Sequence, residues 1–167
     1  VLRCLLGFVV PQTGSVHIAG QALTAESVWT LRRRIAYVGQ EPDLGAGVVR
    51  DILERPFHYR ANTALRGNLA RIPELFDAFR LAQSLLDKDA GDLSGGEKQR
   101  VALVSALLLD RDIFLLDEVT SALDPASKRK VLDDFRSRTK ATMLFVAHDA
   151  ESFPFADSVI EMPGGTA

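Results

Sequence analysis

Asp112-Ile113-Phe114-Leu115-Leu116-Asp117-Glu118 is the stretch of sequence that decides the fold. Its centre is a short apolar run, which is typical of a strand buried on both faces of a parallel sheet. A second apolar run covers residues 142–146, and residues 125–139 between the two have the pattern of a helix. The order strand, helix, strand predicts a parallel sheet and therefore an α/β fold.

The same alternation of apolar runs and helical patterns extends toward both ends of the chain. Residues 157–162 are predicted to form a further strand, which Pro163 ends. On the other side the predicted elements are a helix over residues 1–6, a strand over 15–20, a helical turn over 31–34, a buried strand over 35–38 and a helix over 96–109.

The segment from residue 41 to residue 91 differs in its sequence pattern from the rest of the chain. It consists of amphipathic pieces that Pro56, Gly67 and Pro73 interrupt, and Pro73 is predicted to open a helix over residues 74–82. We therefore predict one α/β domain over residues 1–167, with residues 41–91 as a helical subdomain inserted into it.

Composition limits the classes of protein to which this chain can belong. With 167 residues, of which 47% are hydrophobic and 25% charged, the chain can bury one substantial core. Its net charge of -2 gives no electrostatic reason to expect nucleic acid as a partner, and the basic run Arg32-Arg33-Arg34 is typical of a solvated helix end. Cys4 is the single cysteine, which excludes an intrachain disulfide. No apolar run reaches the roughly 18 to 20 residues that span a bilayer.

The carboxylates that follow the apolar run 113–116 are the first candidates for chemistry, because ligands collect at the carboxyl ends of parallel strands. Asp117 is predicted to hold the water shell of a Mg²⁺ ion, and Glu118 to act as the base that orients or deprotonates an attacking water. Two acids in this position also cap the helix that follows in many proteins. The pair by itself leaves both interpretations open.

Polar side chains follow two other predicted strands. Gln40 comes after residues 35–38, where its amide can reach both a metal ion and an attacking water. His148 comes after residues 142–146, where its imidazole can hydrogen-bond a terminal phosphate. Each of these residues, taken alone, is more typical of an ordinary strand end.

Ser94-Gly95-Gly96-Glu97 has two interpretations that are compatible. Ser followed three positions later by Glu is a capping box, which starts a helix and needs no further function. The glycine pair is not explained by a helix start, since each glycine costs roughly 1 kcal/mol relative to alanine. An open helix start with free N–H groups is suited to a terminal phosphate. We predict that Ser94, Gly95 and Gly96 contact bound nucleotide.

Taken together, these residues resemble the ATP-binding-cassette ATPases over essentially the whole chain. Residues 93–100 resemble the family's signature motif, and residues 113–118 resemble its Walker B strand with the catalytic glutamate. Residues 121–124, which include Asp124, are similar to the D-loop, Gln40 to the Q-loop glutamine and His148 to the switch histidine. No single motif is specific, but their joint occurrence in the family's order is.

The resemblance implies a P-loop NTPase-like sheet and a role in active transport. It implies that Asp117 and Gln40 hold Mg²⁺, that Glu118, His148 and Gln40 act in ATP hydrolysis, and that Asp124 contributes to nucleotide binding. Two such subunits, expected to form a homodimer, sandwich ATP head to tail and dock a transmembrane permease subunit through the helical subdomain. The expected location is the cytoplasmic face of the inner membrane, as a peripheral protein without nucleic-acid partners.

The sequence departs from the family pattern at its beginning. The family's phosphate loop, with its lysine, is expected immediately before Val1, and the adenine-stacking aromatic earlier still. Residues 2–7 resemble the helix that begins at that loop. We therefore expect the chain as given to bind ATP weakly and its sheet to be destabilised.

Other functions remain to be weighed against transport. Soluble relatives of this family act on DNA or ribosomes, but they carry long coiled coils or tandem cassettes, neither of which the sequence contains. A non-catalytic regulatory module is a third interpretation, which the presence of Ser94, Glu118 and His148 disfavours. Residues 93–100 and 118–124 also look like the small stand-alone bacterial cassettes, including the iron-export type.

Overall fold

The structure, a computed structural model, describes residues 1–120, 123, 125–137, 140–147 and 156–162. In chain order its strands and α-helices are α1 (Leu2–Leu5), β1 (His17–Ile18), β2 (Gln21–Ala22), α2 (Val28–Arg32), β3 (Ile35–Val38), α3 (Val49–Glu54), α4 (Ile72–Ala78), α5 (Gly95–Leu108), β4 (Ile113–Asp117), α6 (Pro125–Ser137) and β5 (Thr142–Val146). Between α3 and α5 lie 3₁₀ helices at Arg55–His58, Arg60–Arg71, Gln83–Asp87 and Ala90–Asp92. Within these ranges no helix combines the length and apolar character needed to cross a bilayer.

The centre of the fold is a parallel sheet in the order β3-β4-β5. Val38 pairs with Leu116 across the first strand pair, and Asp117 pairs with Val146 across the second. Because the strands run in the same direction and in this register, their carboxyl ends meet at one edge of the sheet. The predicted parallel α/β fold is confirmed.

One face of the sheet belongs to a large apolar core. Phe114 and Leu116 of β4 lie in this core and are fully buried. Phe135 of α6 meets the ring of Phe114 edge-on at 5.5 Å between centroids and the ring of Phe145 at 5.8 Å. These T-shaped pairs are a favourable packing of aromatic rings, and they fix α6 over β4 and β5.

The opposite face carries a smaller apolar cluster. Leu115 points to this side because successive strand residues alternate between the two faces. It packs with Leu2 of α1, Leu31 of α2 and Ile35 of β3. The short helix at the start of the chain is therefore anchored to the sheet.

The strand predicted over residues 15–20 is in fact a short antiparallel hairpin. β1 ends at Ile18, and His17 pairs with Ala22 of β2. Ala19 and Gly20 form the two-residue turn with φ angles of 49° and 78°. Two consecutive positive φ angles are what a tight hairpin turn requires, so the chain reverses where the sequence interpretation continued the strand.

Between β3 and α5, residues 39–48 are not helical, and most residues from Val49 to Asp92 lie in short α or 3₁₀ helices. The ends of this segment come together, since the N–H of Ala90 donates to the carbonyl of Gly47 at 2.9 Å. The helix opened by Pro73 is shorter than predicted: α4 ends at Ala78, and Arg80 has a φ of 53°, outside the helical region. Phe76 lies in the same apolar core as the sheet residues. The separation of residues 41–91 as a subdomain stays a prediction.

The strand predicted over residues 157–162 is wrong. The structure describes these residues without a strand, and Val159 and Ile160 are 61% and 80% exposed. An alternating pattern produces a strand only when a neighbouring strand supplies hydrogen bonds and one face is buried. In the described part of the chain no such neighbour is paired with this segment.

The basic run at the end of α2, Arg32-Arg33-Arg34, includes two residues whose contacts stabilise the fold. Arg32 donates from Nε to the carbonyl of Leu6 at 2.7 Å, and its guanidinium lies 4.4 Å from the ring centre of Phe8 and 5.0 Å from that of Trp29. Arg34 pairs with Asp112 at the amino ends of β3 and β4, opposite the edge at which the carboxyl ends meet. This contact holds the pKa of Asp112 below its ordinary value.

A capping box starts α5. The side chain of Ser94 accepts from the N–H of Glu97 at 3.3 Å, while the N–H and hydroxyl of Ser94 donate to the carboxylate of Glu97 at 2.8 and 2.7 Å. These hydrogen bonds from Ser94 hold the pKa of Glu97 below its ordinary value. The helix start predicted from the spacing of Ser94 and Glu97 is confirmed.

Replacing Glu97 by Ala should lower the free energy of unfolding by about 1 kcal/mol at neutral pH, because both hydrogen bonds to the carboxylate are lost. A lowered pKa in the folded state stabilises the protein above the ordinary pKa of Glu, and this contribution disappears as the pH falls through the lowered value. The stability difference between wild type and E97A should therefore shrink in acid. Urea titrations at a series of pH values measure it. The exposed Glu26→Ala variant is the control, and a difference that stays constant into acid would contradict the prediction.

Candidate functional site

Gln40 and Glu118 meet at the carboxyl edge of the sheet. The amide Nε2 of Gln40 donates to Oε2 of Glu118 at 3.0 Å. The two residues are distant in sequence, and they meet because β3 and β4 are paired in parallel with Val38 opposite Leu116. The contact places an amide donor on a carboxylate at the position where ligands of parallel sheets collect.

The backbone of Glu118 is held in an unusual conformation. Its φ angle is 49°, in the left-handed region that non-glycine residues rarely adopt. Its N–H donates to the carbonyl of Val146 at 2.9 Å, so the end of β5 fixes the turn that follows β4. Strain of this kind persists where the surrounding structure determines it, and it is concentrated at functional sites.

Asp117 lies beside this pair, half-buried at the last position of β4. The neighbouring aromatic is Tyr37 of β3. Burial and the negative charge of Asp117 raise the pKa of the Tyr37 phenol, so the hydroxyl stays protonated and neutral. Sequence reasoning treated Tyr37 only as part of an apolar strand, since its proximity to Asp117 depends on strand pairing.

The donors at the strand ends suit a partial magnesium site. Among the described residues no group of three His, Cys, Asp or Glu side chains is arranged to hold a metal ion. Mg²⁺ is commonly held by one or two carboxylates, with waters and substrate phosphates completing its coordination. Asp117 supplies a carboxylate and Gln40 an amide oxygen on the same side of the sheet edge, which fits a site of that kind.

A groove of about 670 Å³ opens next to these residues. Asp117 and Gln40 are among the residues that line it, together with residues of β3 and α5. The rest of the lining comes from the segment after Gln40 and from the first helical turns of the insert: Glu41, Pro42, Asp43, Leu44, Ile52, Arg55, Pro56 and Tyr59.

The start of α5 lies apart from this groove. Ser94 and Gly95 are exposed, and neither lines the groove that contains Gln40 and Asp117. A Cβ built on Gly95 would meet no atom within 4 Å, so packing within the chain does not require glycine there. The structure thus brings Gln40, Asp117 and Glu118 together and leaves Ser94 and Gly95 on a separate open surface.

Gln99 of α5 contacts the turn before Gln40, a contact that the sequence did not predict. Its side chain is buried, with 1% exposure, and its Nε2 donates to the carbonyl of Gly39 at 3.3 Å. The helical spacing could have indicated that Gln99 is buried. Gln99 lies four residues before the fully buried Leu103 and therefore on the same helix face.

Two predicted site residues, His148 and Asp124, lie outside the described residues. β5 ends at Val146 opposite Asp117, two positions before His148 in the chain. Their roles stay predictions.

Comparisons with known proteins identify the family of the chain. The sequence model of the family described as "ABC transporter" matches residues 1–121. An energy-coupling factor transporter ATP-binding protein of Bacillus subtilis is 36% identical over 98% of the chain, and the chain spans 59% of that protein's length. A counterpart from Geobacillus kaustophilus is 35% identical over 99% of the chain, which spans 60% of its length.

Solved structures show the same fold. The ATP-binding subunit of an ABC transporter superposes with a TM-score of 0.81 at 26% identity, covering 91% of this chain and 63% of that one. A dimeric ATP-binding cassette in a post-hydrolysis state, bound to ADP and Pi, superposes with a TM-score of 0.74 at 25% identity, covering 90% of this chain and 69% of that one. The family match over most of the chain and these relatives show that the chain belongs to the ABC transporter family.

Proposed function

We propose that this chain is part of an ATP-binding and ATP-hydrolysing subunit that powers an ABC transporter through a separate membrane subunit. The observation that carries the proposal is the hydrogen bond between Gln40 and Glu118 beside Asp117. A carboxylate base, a water-orienting amide and a metal-binding carboxylate at one sheet edge are the groups that hydrolysis of a terminal phosphate requires.

The chemistry assigned to each residue follows from its donor atoms. Glu118 accepts a proton from the attacking water, and the Gln40 amide holds the Glu118 carboxylate and the water in line. Asp117 and the amide oxygen of Gln40 are the proposed protein ligands of Mg²⁺. When bound, the ion neutralises charge on the phosphate oxygens. His148 is proposed to hydrogen-bond the terminal phosphate, and Asp124 to contribute to nucleotide binding.

Replacing Glu118 by Gln in the full-length protein should lower kcat for ATP hydrolysis by about 100-fold or more, because the neutral amide cannot accept the proton. ATP binding should be retained. Phosphate release and nucleotide titration measure the two effects separately. The exposed Glu74→Gln variant serves as the matched control, and normal turnover of E118Q would remove Glu118 from the mechanism.

Ser94, Gly95 and Gly96 are proposed to act on nucleotide held by a second copy of the subunit. Two facts support this: Ser94 and Gly95 lie outside the groove that contains Gln40 and Asp117, and Gly95 faces open space. The exposed start of α5 offers backbone N–H groups and the positive end of the helix dipole. The dimeric relative bound to ADP and Pi is consistent with a paired arrangement.

Replacing Gly95 by Ala should separate function from folding. Alanine favours the helix over glycine by up to about 1 kcal/mol, so the melting temperature should stay the same or rise. Turnover should fall, because the added methyl group occupies space reserved for a second molecule. Calorimetry and ATPase assays test this, with Gly67→Ala, also free of contacts within 4 Å, as the control. Unchanged turnover in G95A would contradict the proposed role.

The groove next to Gln40 is the proposed docking place of the membrane subunit. Its apolar lining, which includes Leu44 and Pro56, suits an amphipathic helix. The lining includes two acidic residues, Glu41 and Asp43, and one basic residue, Arg55. This excess of negative charge favours a docked segment with a basic residue. We propose that the docked chain is a peripheral protein at the cytoplasmic face of the membrane.

Tyr59, which is 67% exposed on the groove wall, tests this docking. The Tyr59→Glu variant should copurify poorly with the membrane subunit, because a charge replaces an aromatic contact. Val10→Glu is the control, since Val10 is 86% exposed and does not line the groove. Equal recovery of the membrane subunit with both variants would exclude this docking place.

The similarity to energy-coupling factor transporter ATP-binding proteins favours that class as the transporter subtype, ahead of the iron-export type. Action on nucleic acid is the alternative function. The helical elements described between Val38 and Ser94 are short, the longest being Arg60–Arg71, and they form no coiled coil of the chromosome-maintenance type. Copurification with nucleic acid instead of a membrane protein would favour that alternative.

A further inference from the structure

We propose that Gln99 is a positioning residue that holds the turn after β3, and through it Glu118, in place for hydrolysis. The inference rests on the proposed function, in which Glu118 is the base. Its starting point is a buried amide at the beginning of α5 that donates from Nε2 to the carbonyl of Gly39 at 3.3 Å.

The hydrogen bond from Gln99 to Gly39 connects α5 to the proposed base, Glu118, because Gly39 and Gln40 are neighbours in the chain. Gly39 is followed directly by Gln40, whose amide donates to Glu118 at 3.0 Å. A shift of the Gly39 carbonyl therefore moves the amide that holds the carboxylate. Gln99 is also in α5, whose N-cap is Ser94, so a displacement of this helix start can reach Gln40 through Gln99 and Gly39.

Tyr37 limits the space for a side chain at Gly39. A Cβ built on Gly39 would lie 3.0 Å from the Tyr37 hydroxyl, which is closer than real Cβ contacts normally are. The turn therefore has little room for added volume on the side of the Tyr37 phenol, while the Gly39 carbonyl accepts a hydrogen bond from the Gln99 amide.

A purely structural role for Gln99 makes a different prediction from a positioning role. Gly39 is only half-buried, so water can replace the lost donor and the fold does not depend on this single bond. Orientation of the base is more demanding, because small misplacements of catalytic groups have large effects on rate. The role is therefore visible in kcat and not in stability.

The test uses Gln99→Met in the full-length protein assembled with its membrane subunit. Methionine has a similar length and volume but no hydrogen-bond donor. We expect kcat to fall about tenfold while the KM for ATP stays within about twofold, since an interaction that positions the base acts in the transition state. The melting temperature should change little.

Asn68→Leu is the matched control. Asn68 also donates a side-chain amide to a backbone carbonyl, that of Leu108 at the other end of α5, at 2.8 Å. Its loss removes a similar hydrogen bond without affecting the turn, so kcat should remain at the wild-type level. Comparable losses of kcat in N68L and Q99M would mean that general loosening of α5 explains the effect.

A double-mutant cycle with Gln40→Ala separates indirect from independent action. If Gln99 acts through Gln40, the double variant should turn over ATP no more slowly than Q40A alone. Additive losses would overturn the inference. An unchanged kcat in Q99M while E118Q is inactive would also overturn it and leave the proposed function intact, whereas an active E118Q would remove the proposed function itself.

Gly39→Ala provides a second variant in case Q99M folds poorly. The added methyl group presses on the Tyr37 hydroxyl and should displace the turn, lowering kcat in the same way. Removing that hydroxyl with Tyr37→Phe should relieve the contact, so G39A in the Y37F background should lose less activity than G39A in wild type. The same loss in both backgrounds would mean that displacement of the turn by the Tyr37 hydroxyl is not the cause, and would count against the role of the turn.

Discussion

The parallel pairing of β4 with β3 on one side and β5 on the other is the interaction on which the site depends. The register sets Val38 opposite Leu116 and Asp117 opposite Val146, so the segments that follow the strands leave the sheet at one edge. Apolar side chains on both faces make this register costly to change, since a slip by one residue would turn each side chain of β4 from its own apolar cluster toward the other. Gln40 and Glu118 meet as a consequence of that register.

Packing on the two faces supports the edge in different ways. Phe135 and its aromatic neighbours hold α6 against β4 and β5, while Leu115 holds the first helix on the opposite side. Within this rigid frame the backbone of Glu118 adopts a strained φ of 49°, held by the carbonyl of Val146. The core thus supplies the stability that allows one unfavourable conformation at the site.

The start of α5 illustrates how one short motif can have two roles. Ser94 and Glu97 satisfy each other in the capping box, and this makes the helix start rigid. Gly95 contributes nothing to that rigidity, and the space around it is open. A rigid helix start with an uncovered backbone is well suited to contact with a second molecule, and Gln99 five residues after Ser94 connects the same helix to the turn at Gly39.

The sequence by itself determined the elements whose patterns are local. The apolar runs gave β3, β4 and β5 nearly to the residue, and the spacing of Ser94 and Glu97 gave the start of α5, because periodicity and capping depend on neighbours in the chain. The hairpin turn at Ala19 and the end of α4 at Ala78 were misplaced, and the strand at residues 157–162 is absent, because each depends on partners that local patterns do not specify. Only the tertiary structure decided that Tyr37 lies beside Asp117 and that Gln99 holds Gly39. Those contacts join residues distant in the chain, and strand pairing and helix packing create them.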